Sequence, residues 1–293
     1  MAYLSLEKIE ELKIKANEIR QSLIEMLVEA GSGHTAGSLG MVDIFTLFYF
    51  HVLRHDPVNP LWEDRDRLIL SHGHICPGLY ATMAHAGYFP IAELKTLRKL
   101  GSRLQGHPHR EFLPFMETSS GPLGSGLSQA VGMAIALRID GKDGSSLSSS
   151  ERFIYCCVSD GELDEGNSWE AIMLAGKYKL RNLIVIVDRN YIQIEGDTEN
   201  VLPLEPLTDK WRAFNWHVFQ VAGHDFKKIN EKIELAKESN EGPTVIIAHT
   251  IPGKGVKEFE NNYKWHGKTP NKKEGEMAIN ELKAESEKLQ NEK

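Results

Sequence analysis

Short apolar runs alternate with amphipathic stretches along the chain. Continuous apolar runs of four to six residues are typical of strands buried on both faces of a sheet. Such runs predict strands over 67–71, 153–158, 183–187, 216–221 and 244–249. Helical spacing of apolar residues predicts helices over about 5–30, 41–55, 76–86, 92–100, 121–139, 168–180, 209–214 and 227–238. This alternation predicts an α/β fold with a doubly wound, mainly parallel sheet and helices on both faces.

Composition narrows the class of protein. The 293 residues carry a formal charge of −7 with both signs mixed, and no Lys/Arg block suggests nucleic-acid binding. No apolar run is long enough to cross a bilayer, and the first residues lack the layout of a signal peptide. Two of the three cysteines, Cys156 and Cys157, are adjacent on one predicted strand. This arrangement argues against a disulfide framework and favours a reducing cytoplasm.

An acidic turn between two predicted strands is the most informative chemical feature. Asp160 and Gly161 directly follow the first strand, and Asn190 follows the next. Ligands of parallel α/β sheets bind at the carboxyl ends of strands, and Mg²⁺ or Ca²⁺ prefers oxygen ligands. A carboxylate, an amide and the Ile192 carbonyl, completed by a diphosphate, form such a shell. An Asp-Gly pair alone is commonplace, but the turn, the intervening helix and the terminal Asn together favour a metal-diphosphate site.

Several histidines lie on glycine-bearing loops rather than on apolar faces. They are His34, His72, His74, His107, His109 and His266. Imidazoles exchange protons near neutral pH and bond hydroxyls or phosphates. For any one of them alone, helix capping or a bond to a carbonyl is an equally good explanation. A zinc site is weakly supported: the pair His107-x-His109 could bind a metal, but paired cysteine motifs are absent from the sequence.

As an ordered set, these motifs resemble the N-terminal, diphosphate-binding part of transketolase, in the form split over two polypeptides. The resemblance covers nearly the whole chain. It rests on Ser32-Gly33-His34, Ser71-His72-Gly73-His74, Gly106-His107-Pro108, Gly121-Pro122-Leu123-Gly124, Asp160-Gly161 with Asn190, and Trp265-His266-Gly267. A lone Asp-Gly with a distant Asn would not separate transketolase from other thiamin enzymes.

The resemblance implies thiamin diphosphate with Mg²⁺ (or Ca²⁺) as cofactors. The implied metal ligands are Asp160, Asn190 and the carbonyl of Ile192. The implied cofactor contacts are His74, Gly161 and Asn190, with Gly121, Pro122 and Leu123 at the aminopyrimidine. The implied catalytic residues, which line the substrate channel, are His34, His107 and His266. Glu165 resembles a buried glutamate that links two cofactor sites; a carboxylate at a helix N-terminus is an equally weighted interpretation.

The implied activity is transfer of a two-carbon ketol unit from a ketose, phosphorylated or otherwise anionic, to an aldose. The glutamate that activates the cofactor is expected on a separate C-terminal subunit with pyrimidine-binding and C-terminal domains. An α2β2 heterotetramer of the cytoplasm, acting in pentose phosphate metabolism, is therefore expected. We predict residues 1–270 to form the thiamin diphosphate domain and residues 271–293 a charged helical tail available to pack on a partner.

Alternatives remain open at this point. The α subunit of a 2-oxoacid dehydrogenase shares the metal motif, and deoxyxylulose phosphate synthase is similar but normally fused. A non-catalytic assembly subunit is a candidate from another class. Two departures from the family pattern matter: Ser159 replaces the first glycine of Gly-Asp-Gly, and the loop around Lys254 differs from that of single-chain enzymes.

Overall fold

A computed structural model of the chain describes residues 4–143 and 151–291. The strands are β1 Arg67–Leu70, β2 Ile154–Ser159, β3 Leu183–Arg189, β4 Ile192–Gln193, β5 Gly196–Asp197, β6 His217–Ala222 and β7 Thr244–His249. Within the described residues, five of them form a parallel sheet in the order β1-β2-β3-β7-β6, and β4 and β5 form a small antiparallel hairpin. The predicted doubly wound parallel sheet is confirmed.

Helices cover both faces of this sheet. They are α1 Leu6–Ala30, α2 Ala36–Leu47, α3 Cys76–His85, α4 Ser125–Ile139, α5 Gly166–Tyr178, α6 Thr198–Val201, α7 Leu207–Ala213, α8 Phe226–Glu238 and α9 Lys272–Asn291. The ends of α1 follow the sequence closely. Ser5 Oγ accepts a hydrogen bond from Lys8 N at 3.1 Å, and Gly31 ends the helix in the left-handed conformation at φ 62°. None of the helices in the described ranges is long and apolar enough to span a membrane.

Two apolar cores lie on opposite faces of the sheet. One packs α1, α2, α3, α8 and α9 against residues such as Cys157 and Ile246. The other packs α4, α5 and α7 against residues such as Cys156 and Val185. The adjacent cysteines point to opposite faces because successive side chains alternate along a strand. Both are free thiols, as is Cys76.

The helix predicted over 41–55 is wrong at both ends. α2 already begins at Ala36, and a π-helical turn, Phe48–Val52, ends it. The glycines serve close packing inside the helix. A Cβ on Gly37 would lie 2.8 Å from Ile75 Cγ2, and a Cβ on Gly40 would lie 3.1 Å from the Ile251 carbonyl oxygen.

The helix predicted over 92–100 is also shorter than expected. A 3₁₀ stretch covers Ile91–Thr96 and ends where Thr96 Oγ1 donates to the Glu93 carbonyl at 2.8 Å. Arg98 then adopts φ 58°, which turns the chain away from a helical path. The polar segment 141–150, which the sequence suggests is a loop, lies mostly outside the described residues, since 144–150 are not part of them.

The charged C-terminal helix α9 packs along α1. Asn17 Nδ2 donates to the Leu282 carbonyl and to Ser286 Oγ, both at 2.6 Å. Gly275, Ala278 and Leu282 are buried in this contact, and a Cβ on Gly275 would lie 2.4 Å from Val28. One side of α9 is therefore occupied within the chain itself, and its charged side remains exposed.

Candidate functional site

The candidate metal ligands meet at the carboxyl ends of β2 and β3. Ser159 pairs with Asp188 in register, so the residues that follow each strand lie at the same level of the sheet. Asp160 N donates to the Asp188 carbonyl at 3.1 Å. Asp160 is fully buried and Asn190 is nearly so. Tertiary structure thus brings together the two residues that the sequence separates by thirty positions.

The Asp160 carboxylate is held by backbone and side-chain donors. Its Oδ1 accepts from Gly161 N at 2.9 Å. Its Oδ2 accepts from Tyr191 N at 2.7 Å and from Arg189 Nη1 at 3.1 Å. Burial raises the pKa of Asp160 to about 6, against the opposing charge of Arg189 and the bonds from Tyr191 and Gly161. A buried acid of this kind is stabilised in its ionised form by a bound cation.

Asn190 presents an amide oxygen beside this carboxylate. Its Nδ2 donates to Asp188 Oδ2 at 2.8 Å, which fixes the orientation of the amide, and its Oδ1 accepts from Ile192 N at 3.0 Å. Burial raises the pKa of Asp188 to about 7, and the charge of Asp160 adds to that rise. Two buried, mutually repelling carboxylates beside an amide oxygen suit a divalent cation with hard-oxygen preference.

Metal sites built from side chains alone do not compete with this one. Across residues 4–143 and 151–291, no group of three or more His, Cys, Asp or Glu side chains is arranged to hold a metal. The His107-x-His109 pair therefore has no third ligand of these types in the described ranges. A site at Asp160 would draw on an amide, a carbonyl and a diphosphate for its remaining ligands.

Glu162 is a buried site residue that the sequence interpretation missed. Its Oε1 accepts from Ser71 Oγ and from Gly124 N, both at 2.6 Å, and its Oε2 accepts from Ser159 N at 3.3 Å. It thereby ties together the loops after β1 and β2 and the segment before α4. Burial raises the pKa of Glu162 to about 7. Its place two residues after Asp160 in the acidic turn was the available signal.

Ser159, the departure from Gly-Asp-Gly, is accommodated in the turn. Its Oγ accepts from Glu162 N at 3.2 Å, while its own N donates to the Glu162 carboxylate. The hydroxyl therefore caps the 3₁₀ turn Gly161–Asp164 without displacing Asp160. Gly161 remains close-packed, since a Cβ there would lie 3.0 Å from Gln193 Oε1.

Three of the predicted histidines form a cluster near the candidate metal ligands. The His34 and His74 rings have centroids 4.9 Å apart, His74 and His266 are 5.1 Å apart, and His34 and His266 are 5.7 Å apart. His72 joins them at 5.9 Å from His74. The four rings come from three segments far apart in sequence, since His72 and His74 share one loop.

The clustered histidines are neutral at neutral pH. Burial lowers the pKa of His34 to about 4, with further lowering by the charges of His266, Arg98 and His107. Burial also lowers the pKa of His74 well below its usual value and lowers that of His266. A neutral imidazole both donates and accepts, so such a cluster can bond hydroxyls in either sense.

His107 lies near this cluster without stacking in it. Its ring is more exposed than the clustered rings, and its partial burial and the charge of Arg98 lower its pKa. A positive charge on His107 lowers the pKa values of both His34 and His74. Arg98 is a second residue that the sequence interpretation missed, and no motif marks it. Its left-handed backbone, φ 58°, turns it toward Gly106, whose carbonyl accepts from Nη2 at 3.4 Å.

Unpaired buried atoms around the cluster fit a polar ligand. His34 Nδ1, His72 Nε2 and Ser120 Oγ are buried and make no hydrogen bond within the described part of the chain. His72 Nδ1 donates to the Cys157 carbonyl at 3.0 Å, which turns Nε2 toward Asp188 Oδ2, 4.0 Å away. Buried polar atoms without partners are rare in folded proteins, and a bound ligand is one explanation.

The segment predicted to hold the aminopyrimidine runs into α4. Asn167 Nδ2 donates to the Leu123 carbonyl at 3.3 Å, and Ser125 Oγ donates to the Pro122 carbonyl at 2.7 Å. Gly124 has φ 79°, and a Cβ there would lie 1.9 Å from Asn167 Oδ1. Gly121 is partly exposed with open space around it. The loop is therefore fixed at one end and open at the other.

Glu165 and Lys254 have surroundings that the sequence left open. Glu165 is exposed in the single chain and precedes α5 without making a side-chain capping bond. Its role between two cofactor sites stays a prediction. Lys254 Nζ lies 3.6 Å from Glu260 Oε1, beside a cavity of about 650 Å³ between α1 and α9. Its observed partner is thus a glutamate of its own loop.

A parallel sheet whose strand ends present buried acids, an oriented amide and neutral histidines defines a domain for a metal-bound diphosphate cofactor. The family model "Transketolase, thiamine diphosphate binding domain" matches residues 12–288. The chain therefore belongs to the transketolase family, as its motifs predicted. Thiamin diphosphate with a divalent metal is its cofactor, and the family's enzymes are transferases.

Individual relatives support this assignment. The chain is 40% identical to the 6-deoxy-6-sulfo-D-fructose transketolase subunit of Clostridium sp. (strain MSTE9), over 94% of this chain and 97% of that protein. It is 40% identical to an apulose-4-phosphate transketolase subunit of Actinobacillus succinogenes, with the same coverage. The crystal structure of Campylobacter jejuni transketolase matches with a TM-score of 0.86 and 37% identity, over 97% of this chain and 43% of that one. These matches favour neither an oxoacid dehydrogenase nor a purely structural protein.

Proposed function

We propose that the chain is the N-terminal subunit of a two-polypeptide transketolase. It would transfer a two-carbon ketol unit from a ketose to an aldose, together with a separate C-terminal subunit. One observation carries this proposal. The candidate metal ligands Asp160 and Asn190 lie at the same sheet edge as a cluster of neutral histidines, so the cofactor and a polyhydroxylated substrate would meet there.

In this proposal the metal is held by Asp160 Oδ1, Asn190 Oδ1 and the Ile192 carbonyl. The Mg²⁺ ion, or Ca²⁺, neutralises the buried acids and the diphosphate together. The support is that Asp160 Oδ1 accepts a single backbone bond, while the amide of Asn190 is oriented by Asp188. The Gly161 backbone and His74 would contact the diphosphate.

In this proposal the histidines of the site bind the substrate. When bound, thiamin diphosphate supplies the nucleophilic carbon that takes up the two-carbon unit. His34, His107 and His266 would bond sugar hydroxyls and move protons at their ring nitrogens. The lowered pKa values keep these rings neutral near pH 7, so each has one donor and one acceptor available.

The segment from Gly121 to Leu123 would position the aminopyrimidine ring. Support comes from its neighbours: Gly124 N is bonded by Glu162, and a Cβ on Gly73 would touch Ser120 just before the segment. The loop is thus tied to the histidine loop after β1 and to the acidic turn after β2. Glu165 would link this site to a second copy across a dimer.

The partner is proposed from lengths and names. The chain spans about 42% of single-chain transketolases such as the rat enzyme, and relatives of its own length are named as subunits. We propose a C-terminal subunit with pyrimidine-binding and C-terminal domains in an α2β2 assembly, which supplies the activating glutamate. The relatives' names mention a sulfonated and a phosphorylated sugar, so we propose an anionic ketose and a place in cytoplasmic pentose phosphate metabolism.

Reconstitution tests the proposal. Ketol transfer would be assayed with the full chain by itself, with the isolated C-terminal subunit and with the two mixed. Activity is expected only in the mixture, and full activity of the chain by itself would refute the split-enzyme proposal. Replacing His107 by Ala in the mixture is expected to lower kcat/KM about 100-fold or more, the range of a lost acid-base group. The neighbouring His109→Ala is the matched control.

Cofactor binding separates a catalytic from a structural role. Calorimetric titration with thiamin diphosphate and Mg²⁺ would be run with and without the partner subunit. Binding is expected in the complex and is expected to be lost in Asp160→Asn, because the buried Asp160 carboxylate is the only charged side chain among the proposed metal ligands. Absence of binding by the wild-type complex would favour a purely structural subunit.

A further inference from the structure

Arg189, at the end of β3, reaches back over the candidate metal ligand. Its side chain is buried, and Nη1 donates to Asp160 Oδ2 at 3.1 Å and to Thr198 Oγ1 at 3.0 Å. Nη2 donates to Glu199 Oε1 at 2.5 Å and to Glu205 Oε1 at 3.0 Å. The guanidinium fork is thereby fixed by four acceptors in three separate segments. Such planar, multidentate bonding makes Arg a rigid orienting group.

The consequence for Asp160 is an unequal use of its two oxygens. Oδ2 accepts from Arg189 Nη1 and from Tyr191 N, whereas among the described residues Oδ1 accepts only from Gly161 N. A carboxylate oxygen offers about two lone-pair positions. Oδ2 is therefore filled by protein donors, and Oδ1 keeps one position for a cation. Asp160 is set to bind through a single oxygen.

Arg189 also supports the turn that carries the other candidate ligands. Tyr191, between Asn190 and Ile192, has φ 64°, a left-handed conformation that a bulky residue rarely adopts. The guanidinium carbon of Arg189 lies 4.2 Å from the centroid of the Tyr191 ring. Tyr191 Oη also bonds His249 Nδ1 at 2.7 Å. These contacts hold a backbone shape that the sequence alone does not favour.

The positive charge of Arg189 does not oppose a nearby cation. Glu199 and Glu205 both form ion pairs with Nη2, at 2.5 and 3.0 Å. With Asp160 included, three carboxylates face one guanidinium. The group therefore retains net negative charge, and the contribution of Arg189 to the site is orientation rather than repulsion.

We propose that Arg189 is a positioning residue that makes the cation site prefer Mg²⁺ over Ca²⁺. It restricts Asp160 to one oxygen and holds the turn of Asn190 and Ile192. Mg²⁺ requires near-ideal octahedral geometry, while Ca²⁺ accepts bidentate carboxylates and irregular shells. A site of single, fixed oxygens suits the smaller ion. This inference rests on the proposed metal role of Asp160.

The test is a comparison of ion affinities in the reconstituted complex of the chain and its C-terminal subunit, with saturating thiamin diphosphate. Mg²⁺ and Ca²⁺ would be titrated calorimetrically into wild type, Arg189→Met, Arg189→Lys and the double variant Glu199→Gln/Glu205→Gln. For Arg189→Met, the Mg²⁺ Kd is expected to rise about 10- to 100-fold, the usual loss for a residue that orients a metal ligand. The Ca²⁺ Kd should rise far less, so the preference of the site for Mg²⁺ over Ca²⁺ should become smaller. Arg189→Lys and the double variant should show smaller losses in the same direction.

A surface arginine supplies the matched control. Arg212→Met removes an exposed ion pair with Asp209 at 3.3 Å and is expected to leave both affinities unchanged. Unchanged affinities in Arg189→Met, or equal losses for both ions, would overturn the inference. If that variant does not fold, the double variant decides in the same way. Failure of the wild-type complex to bind either ion would instead refute the proposed cofactor site, and this inference with it.

Discussion

Replacing Glu162 by glutamine exchanges a buried carboxylate for a neutral amide of nearly the same shape. In the wild-type chain this side chain has no exposed surface and bonds Ser71, Gly124 and Ser159. The pKa of Glu162 rises from 4.5 to about 7 because burial disfavours its charge more than the three donors favour it. The protonated carboxyl is therefore the form that the fold prefers.

The sign and size of the effect follow from this rise. A carboxyl whose pKa is higher in the fold contributes stability below the unfolded pKa, and this contribution disappears as pH rises through the folded pKa. Between about pH 5 and pH 8.5, the wild-type chain without cofactor should lose about 2–3 kcal/mol of unfolding free energy through Glu162. The glutamine variant has no charge to develop at this position.

The assay is denaturant unfolding of the cofactor-free chain at the two pH values. At the lower pH, the variant should be less stable than wild type by about 1 kcal/mol, since an amide NH₂ faces a backbone donor. At the higher pH, the order should reverse, because only the wild type carries the buried charge. Glu170→Gln, an exposed change on α5, is the control and should follow the wild type at both pH values.

Parallel pH dependence of wild type and Glu162→Gln would refute the reasoning. Such a result would mean that the bonds from Ser71 and Gly124 fully compensate burial and that Glu162 stays ionised in the fold. Because both proteins share every other titrating group, their difference isolates this one carboxyl.

Three further predictions concern packing, a buried ion pair and a site histidine. Gly176→Ala places a Cβ 1.8 Å from a carbonyl oxygen of the segment before β6 and should destabilise the chain by about 3 kcal/mol. In Gly132→Ala the new Cβ meets nothing within 4 Å, and the change should stabilise the chain by up to about 1 kcal/mol. The melting temperatures of the two variants should therefore move in opposite directions. Asp43→Asn breaks a buried ion pair with Arg20 at 2.7 Å and should cost about 3–5 kcal/mol in urea unfolding, and a loss under 1 kcal/mol would contradict this. Since burial lowers the pKa of His34 to about 4, its NMR titration midpoint should lie below about pH 5; a midpoint near the ordinary 6.5 would show that the ring is solvated.

Strands were the most predictable part of the fold. The run 244–249 matches β7 residue for residue, and the run 183–187 covers β3 up to its last two residues, because strands buried on both faces need continuous apolar sequence. α1 was equally predictable, since Ser5 and Gly31 mark its ends with local chemistry. The start of α2 was predicted wrongly, because its glycines serve contacts with segments distant in the sequence. Gly37 and Gly40 lie inside α2 because Ile75 and the backbone at residue 251 pack against them.

Site residues divide in the same way. The sequence by itself determined the family, the cofactor and the residue types at Asp160, Asn190 and the histidine loops, because this chemistry requires particular groups at strand ends. Only the tertiary structure decided that His34, His74 and His266 share one cluster, and that Glu162 and Arg189 orient the loops around Asp160. These relations depend on burial and on contacts between distant segments. A linear pattern records which groups are present, but the distances between them and the water they lose arise only when the sheet assembles.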